Sequence, residues 1–249
     1  MACDNCHTPR ASDGYDLSKR FSGGSQVFSD KNYSVRGSNI STDDETGVGS
    51  WSDTSLRAAI VEGTGPKGRL APVMPSESYR ALTPGDLEAV IAFLRSTAPV
   101  KSSLPAQERS GPVERRPAIP GAEAPLSDEA LAEPLRRGLY VASLARCMSC
   151  HSSEVEGAPD PKNHLGQGGR VFRTPGGVAV ASNITNDVQN GIGAWSDDEL
   201  KRAIAQGVGR DGKPLAPTMA NLSRAHFSKM AEEDLDALVA WLRTIRPGK

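Results

Sequence analysis

The chain contains the same five-residue pattern twice, CDNCH at residues 3–7 and CMSCH at residues 147–151. No other cysteine occurs in the 249 residues, and each pair is followed directly by a histidine. Two cysteines three positions apart lie on one turn of a helix, and C-x-x-C-H is typical of c-type haem attachment. We therefore expect two covalently bound haem c groups, held by thioethers to Cys3, Cys6, Cys147 and Cys150.

Other interpretations of C-x-x-C pairs are open. Two pairs could form a four-thiolate zinc site, disulfides, or thioredoxin-like redox pairs. A shared zinc site does not require a duplicated module, and a thioredoxin-like protein needs a βαβ pattern that is absent here. Haem is the better explanation, with His7 and His151 as iron ligands. A backbone carbonyl near Gly23-Gly24 or Gly168-Gly169 is expected to accept from the second ring nitrogen.

The second half of the chain repeats the first. SNISTDDETGVGSWSD at residues 38–53 matches SNITNDVQNGIGAWSD at residues 182–197, with an offset of 144 residues. The offset is 145 between Met74 and Met219. Self-similarity of this kind indicates duplicated structural units.

The repeat and a proline-rich stretch between its copies define the domain organisation. We predict two domains, residues 1–96 and 127–249, joined by a linker at residues 97–126 that lies over the surface. Helix periodicity and capping residues occur in both copies, whereas strand signals are weak. The predicted fold class is therefore all-α, with long Gly- and Pro-rich loops.

Several helices can be placed by their caps and by their apolar period. Ser52 is expected to cap a helix that ends before Gly63, and Ser196 one that ends at Gly207. A last helix follows in each copy, with apolar residues at Leu87, Val90, Ile91 and Leu94, and at Leu235, Leu238, Val239 and Leu242. A further helix is predicted from Pro134 to Cys147.

Met74 and Met219 occupy equivalent positions, 67 and 68 residues after their histidines. A thioether is a soft, neutral iron donor that raises the reduction potential relative to bis-histidine ligation. We expect these methionines to be the second axial ligands. The alternative is that each one fills space in the core.

The repeat also duplicates an asparagine and a tryptophan, Asn39 with Asn183 and Trp51 with Trp195. Side-chain amides and indole N–H groups are suitable donors to a haem propionate. We expect these four residues to contact the propionates, although core packing and a capping turn explain them nearly as well.

Both halves resemble class I c-type cytochromes. The resemblance is carried by S-N-I-T-x-D-x-x-x-G-I-G-x-W-S-D and G-x-x-L-x-P-x-M, which span residues 182–219 and, slightly altered, 38–74. The tandem is similar to cytochrome subunits of bacterial periplasmic dehydrogenases that oxidise alcohols or sugar acids, or that are molybdenum hydroxylases. The resemblance implies two histidine–methionine pairs, His7 with Met74 and His151 with Met219. It also implies electron relay from a dehydrogenase to an oxidase, quinone-linked or cytochrome acceptor of a respiratory chain.

Three departures from such subunits affect what we expect. Many carry a third haem and a membrane-anchoring helix, which this sequence lacks. The helix around Arg137-Gly138-Leu139-Tyr140 has no counterpart before Cys3, so the stripe from Leu87 to Leu94 should be partly exposed. The sequence shows no export signal, yet haem is attached outside the cytoplasm. We therefore expect a periplasmic protein whose given N-terminus is truncated.

Composition excludes several classes of partner. The formal net charge is −1 with interspersed signs, so neither nucleic acid nor an anionic membrane is expected to bind. No stretch is apolar enough for a transmembrane segment. We predict an electron carrier and not an enzyme. The alternative is a dihaem redox enzyme, a peroxidase or a thiosulfate-oxidising cytochrome, but catalysis needs an open iron site, against which two matched methionines argue.

Overall fold

The chain folds into two units, Met1–Arg116 and Pro117–Lys249, and each contains one C-x-x-C-H segment. This computed structural model describes residues 3–12, 14–105, 107–111, 114–174 and 177–248. The outer limits of the predicted domains, residues 1 and 249, lie outside the described residues. The predicted inner boundaries, at residues 96 and 127, stay predictions.

The helices of both units are short. The first unit contains α1 (Asp4–His7), α2 (Asp53–Arg57), α3 (Ser76–Tyr79) and α4 (Pro84–Arg95). The second contains α5 (Pro134–Leu144), α6 (Cys147–His151), α7 (Asp197–Gln206), α8 (Pro217–Ala225) and α9 (Glu232–Leu242). Single 3₁₀ turns lie at Leu17–Lys19, Ala130–Ala132 and Phe227–Lys229.

Capping residues begin and end several helices where the sequence predicts. The Ser52 side chain accepts from the Ser55 N–H, and Ser196 forms a capping box with Glu199. Gly63 and Gly207 end their helices with φ of 66° and 72°, a left-handed conformation that favours glycine. The first of these helices widens after α2 into a π-helical turn, Ala58–Glu62.

The all-α prediction is wrong, because the described chain is 36% helical and 13% strand. The first unit contains β1 (Arg10–Ala11), β2 (Gly14–Tyr15), β3 (Val27–Asp30), β4 (Tyr33–Arg36), β5 (Thr64–Gly65), β6 (Gly68–Arg69) and β7 (Glu108–Arg109). The second contains β8 (Glu154–Val155), β9 (Ala158–Pro159), β10 (Val171–Thr174) and β11 (Gly177–Val180). Strands of two to four residues are too short to show a clear alternating pattern, which is why the sequence did not reveal them.

The largest sheet lies in the first unit and orders its strands β3–β4–β7. On β4, Tyr33 and Val35 are buried and form a small core with Ala71, while Phe28 and Val73 pack against it. This core joins the hairpin of β3 and β4 to the segment that precedes Met74. Strand β7 comes from the predicted linker, so the described part of that segment contributes to the fold of the first unit.

The helix predicted from Pro134 to Cys147 is in fact two helices. Arg146 has φ of 62°, and this left-handed residue separates α5 from α6. The break turns the chain so that α6 starts at Cys147, and the C-x-x-C-H segment forms a helix of its own. Apolar residues keep a helical spacing up to Leu144, so the pattern did not indicate that the helix breaks.

Helices α5 and α9 pack closely in the second unit. Their contact is centred on Gly138, where an added Cβ would overlap the carbonyl oxygen of Ala237 and lie 2.5 Å from the Cβ of Trp241. Only a residue without a side chain allows this approach. Leu139 and Leu238 are buried beside it, so the two helices form the core of the unit.

The apolar stripe of α4 in the first unit is only partly buried. Ile91 and Leu94 are buried, whereas Leu87 and Val90 are half-buried. Phe93 is instead 46% exposed, whereas its counterpart Trp241, which α5 covers, is 8% exposed. The stripe is therefore partly exposed, and Phe93 adds a further exposed apolar side chain to α4.

Within the described residues, the structure contains no helix with the length and apolar character needed to span a bilayer.

Candidate haem-binding sites

Each C-x-x-C-H segment forms a single helical turn. In α1, the N–H groups of Cys6 and His7 donate to the Cys3 carbonyl at 3.1 and 2.9 Å. Helix α6 spans the corresponding residues Cys147–His151. The two thiols of each pair are therefore one turn apart, with the imidazole attached to the same turn.

The two histidine rings are held in the same way. Nδ1 of His7 lies 2.7 Å from the Ser38 carbonyl oxygen, and Nδ1 of His151 lies 2.8 Å from that of Ser182. Because a carbonyl oxygen only accepts, Nδ1 must carry the hydrogen, which leaves the lone pair on Nε2. This is the tautomer and the orientation that a metal-binding imidazole requires.

The glycine pairs that were expected to accept from the imidazoles do not do so. The N–H of Gly23 donates to the His7 carbonyl at 2.9 Å, and that of Gly168 donates to the His151 carbonyl at 2.7 Å. At Gly24 and Gly37, an added Cβ would overlap the Cys6 carbonyl oxygen. Glycine is therefore needed because other backbone segments pass directly against the C-x-x-C-H turn.

Burial keeps the imidazoles neutral. Desolvation lowers the pKa of both His7 and His151, and the carbonyl hydrogen bond offsets this only in part. A neutral imidazole is the form that binds a metal. Two thiols on one turn and an imidazole with a free Nε2 together fit a covalently attached haem.

The cysteines are poorly suited to thiol–disulfide exchange. Burial raises the pKa of Cys147 to about 12, with a further contribution from Cys150. Burial also raises the pKa of Cys3 and Cys150. Redox-active dithiols need a lowered pKa, since the thiolate is the nucleophile. None of the four cysteines forms a disulfide in the structure. Among the residues described, no cluster of three or more His, Cys, Asp and Glu side chains could hold a metal ion.

Met74 and Met219 lie in different local structures. Met74 follows a turn in which its N–H donates to the Ala71 carbonyl at 2.9 Å, and it lines a shallow open cleft with Leu70, Glu77 and Arg80. Met219 lies in the first turn of α8, where its carbonyl accepts from Ser223 Oγ at 3.0 Å. Their assignment as axial ligands stays a prediction.

The four proposed propionate donors also have roles within the protein. Asn39 is 3% exposed, and its Nδ2 donates to Thr46 Oγ1 and to the Val100 carbonyl. The Asn183 side-chain oxygen accepts from both the N–H and the hydroxyl of Thr185. These contacts match the capping-turn alternative. The propionate contacts of Asn39, Asn183, Trp51 and Trp195 stay predictions.

Two arginines that the sequence analysis missed hold the duplicated loops. Arg95 donates to the Val48, Gly49 and Trp51 carbonyls, and Arg243 donates to those of Ile192 and Trp195. Each also pairs with an aspartate at the start of the following helix, Asp53 or Asp197. The two arginines share the 148-residue offset of the last helices, so the repeat alignment contained the signal.

Comparison with known proteins agrees with this geometry. Residues 136–246 match the cytochrome c family. The chain is 30% identical over 227 residues to a nicotinate dehydrogenase subunit of Pseudomonas putida, a match that covers 81% of this chain and 18% of that protein. It is 26% identical over 257 residues to the fructose dehydrogenase cytochrome subunit of Gluconobacter japonicus, covering 98% and 50% respectively. A "Diheme cytochrome c-type" from Cereibacter sphaeroides is 26% identical over 259 residues, covering 98% and 81%.

The family match and the duplicated cysteine–histidine turn define the class of protein. Residues 136–246 form a cytochrome c domain, and the first unit repeats its cysteine–histidine turn. Within this class the chain resembles the cytochrome c subunits of alcohol, fructose and gluconate dehydrogenases. It spans only 18% and 50% of the length of the first two relatives described above.

Proposed function

We propose that each unit binds one haem c and that the chain relays single electrons from a periplasmic dehydrogenase to a respiratory acceptor. The observation that carries this proposal is the duplicated turn, in which two thiols and a carbonyl-bonded imidazole occur together in both units. One shared site would not need two such turns. The similarity to a diheme cytochrome over 98% of this chain supports the count of two.

Each group of residues has a distinct part in this function. The thiols of Cys3, Cys6, Cys147 and Cys150 attach the haems. His7 and His151 would hold the iron through Nε2, and Met74 and Met219 would hold it through their sulfurs. A bound haem supplies an iron that changes between the ferric and ferrous states.

Contacts within the protein would set the relative stability of the ferric and ferrous states. The Ser38 and Ser182 carbonyls fix the imidazole planes and increase the basicity of the ligands, which favours ferric iron. The methionine sulfurs favour ferrous iron. With a histidine and a methionine on each iron, no position would remain for a substrate, which favours a carrier over an enzyme.

The partners follow from the relatives. Nicotinate, fructose, alcohol and gluconate dehydrogenases each include a subunit similar to this chain. We therefore propose a dehydrogenase as the donor, and an oxidase, a quinone-linked enzyme or another cytochrome as the acceptor. Docking between such partners is transient and buries less than about 1,200 Å2.

Haem counting tests the core of the proposal. The chain is expressed with an export signal in a bacterium that matures c-type cytochromes, and intact mass spectrometry counts the adducts. We expect two haems in the wild type and one in Cys3→Ala/Cys6→Ala or Cys147→Ala/Cys150→Ala. A protein that matures without haem contradicts the assignment.

Two further measurements test carrier function and partner class. Carbon monoxide added to the reduced protein should bind slowly at both haems, and rapid binding at one would favour an enzyme. Periplasmic extracts supplied with nicotinate, fructose, gluconate or ethanol should reduce the haem iron of the added protein, which is followed by the absorption band of the reduced haem. No reduction with any of them contradicts the proposed link to this group of dehydrogenases.

A further inference from the structure

The segment that follows α4 lies against the first unit. We call residues 97–111, as far as the structure describes them, the strap. The Thr97 carbonyl accepts from Thr42 Oγ1 at 2.7 Å, and the Ser102 N–H donates to Thr46 Oγ1 at 3.0 Å. The strap therefore begins by running along the loop that follows Ser38.

The middle of the strap holds the residues next to Ser38. The Val100 carbonyl accepts from Asn39 Nδ2 at 2.8 Å and from Ser41 Oγ at 3.3 Å. The Val100 N–H donates in turn to Ser41 Oγ at 3.1 Å. Ser41 is fully buried and Asn39 nearly so, which makes these bonds inaccessible to water.

The later part of the strap reaches both backbone segments that hold His7. Gln107 Nε2 donates to Ser38 Oγ at 3.0 Å, and the Ser38 carbonyl accepts from the imidazole. The Leu104 side chain packs so closely on Gly23 that an added Cβ there would lie 2.5 Å from it. Gly23 in turn donates to the His7 carbonyl.

No residue of the strap belongs to the second unit, where a main-chain hydrogen bond lies at the corresponding place. The Asn186 N–H donates to the Ile245 carbonyl at 2.7 Å, and these two residues correspond in the repeat to Thr42 and Thr97. The haem of the second unit is therefore an internal reference for any effect of the strap.

We propose that the strap positions His7, with Leu104 and Gln107 as positioning residues for its hydrogen bond to the Ser38 carbonyl. The segment predicted as a passive linker is then part of the haem environment of the first unit. This inference rests on the proposed function, because it requires a haem bound at His7.

The proposal has a direct consequence for the reduction potential. A hydrogen bond from Nδ1 increases the basicity of an iron-binding imidazole and stabilises ferric iron. If the strap no longer holds Ser38 and Gly23, that bond weakens. The potential of the haem in the first unit should rise, while that in the second unit stays unchanged.

The test compares two variants of the same exposed segment in the haem-loaded full chain. Leu104→Ala/Gln107→Ala removes the side-chain contacts to Gly23 and Ser38. Lys101→Ala/Ser110→Ala is the matched control, since it removes strap contacts to Glu45 and the Lys31 carbonyl, away from the histidine. Spectroelectrochemical titration gives both potentials, and a Met74→Ala variant assigns the wave of the first unit.

We expect a rise in the first-unit potential for Leu104→Ala/Gln107→Ala alone, with wild-type values for the control and for the conservative Leu104→Met. Equal shifts in test and control variants, a shift of both haems together, or no shift would overturn the strap proposal. Haem counting precedes the titration. A protein without haem contradicts the proposed function, whereas two haems with unshifted potentials contradict only the role of the strap.

Discussion

Replacing Gly138 with alanine separates what helix propensity predicts from what packing predicts. Gly138 lies inside α5, where alanine is favoured over glycine by about 1 kcal/mol. Propensity alone therefore predicts that Gly138→Ala stabilises the second unit. The structure predicts the opposite, because the new Cβ would overlap the Ala237 carbonyl oxygen and crowd the Cβ of Trp241.

The size of the destabilisation depends on which atoms the new methyl group meets. Inserting a methyl group into a well-packed contact costs about 1–3 kcal/mol, and backbone atoms of α9 cannot move aside as the end of a flexible side chain can. We take the upper part of that range and subtract the gain in propensity. The expected result is a loss of about 1–2 kcal/mol in the free energy of opening the α5–α9 contact.

Native-state hydrogen exchange measures this opening locally, which is preferable to global unfolding in a chain of two units. Amides of α5 and α9 should exchange faster, by about tenfold for each 1.4 kcal/mol lost. Amides of α4 in the first unit should keep their wild-type protection.

Gly85→Ala is the matched control. Gly85 also lies in a helix, α4, but the nearest atom to an added Cβ is the Thr83 hydroxyl at 4.0 Å. This variant should be neutral or slightly stabilising. Unchanged or slower exchange of the α5 and α9 amides in Gly138→Ala would refute the close contact between these helices.

Three further predictions concern the haem ligands, the loop contacts and the dependence on pH. Met74→Ala and Met219→Ala should each abolish the weak near-red sulfur-to-ferric band of one haem, and an unchanged absorption spectrum rules out that methionine as a ligand. Arg243→Ala should destabilise the second unit by about 2 kcal/mol, because it removes the guanidinium donor to the Ile192 and Trp195 carbonyls and breaks the ion pair with Asp197. Denaturant unfolding measures this loss, and a loss no larger than for Arg210→Ala contradicts the prediction. Backbone N–H groups of Asn190 and Gln189 lower the pKa of Asp187. Its contribution to stability is therefore present above the ordinary carboxyl pKa of about 3.9 and is lost as the pH falls through the lowered value. In Asp187→Asn, Tm should decrease less steeply as the pH is lowered than in the wild type. An identical decrease would show that this carboxylate contributes nothing to the stability.

Local signals in the sequence identified much of the helical structure. The capping box at Ser196 and the left-handed Gly207 depend on residues within one turn of the helix end, so their pattern is visible in the sequence. The break at Arg146 was missed, because arginine has no special preference for a left-handed conformation and the apolar period continues up to it. The short strands were missed because two to four residues carry too little pattern.

The candidate sites also combine features that the sequence predicted with features that it did not. The cysteine–histidine turn is encoded by five neighbouring residues, so its position could be predicted from the sequence. Its hydrogen-bond acceptor was sought in the glycine pairs but is a serine carbonyl 31 residues from the histidine in both units. Every residue has a backbone carbonyl, so no side-chain type marks the one that accepts.

The sequence by itself determined the duplication and the position of both cysteine–histidine turns, and it predicted the class of protein, because motif spacing and repeat offset are properties of the chain alone. Only the tertiary structure decided which carbonyl holds each imidazole, why Gly138 must lack a side chain, and that residues 97–111 pack against the first unit. Those features are contacts between backbone segments far apart in the chain, and their partners are chosen by packing geometry.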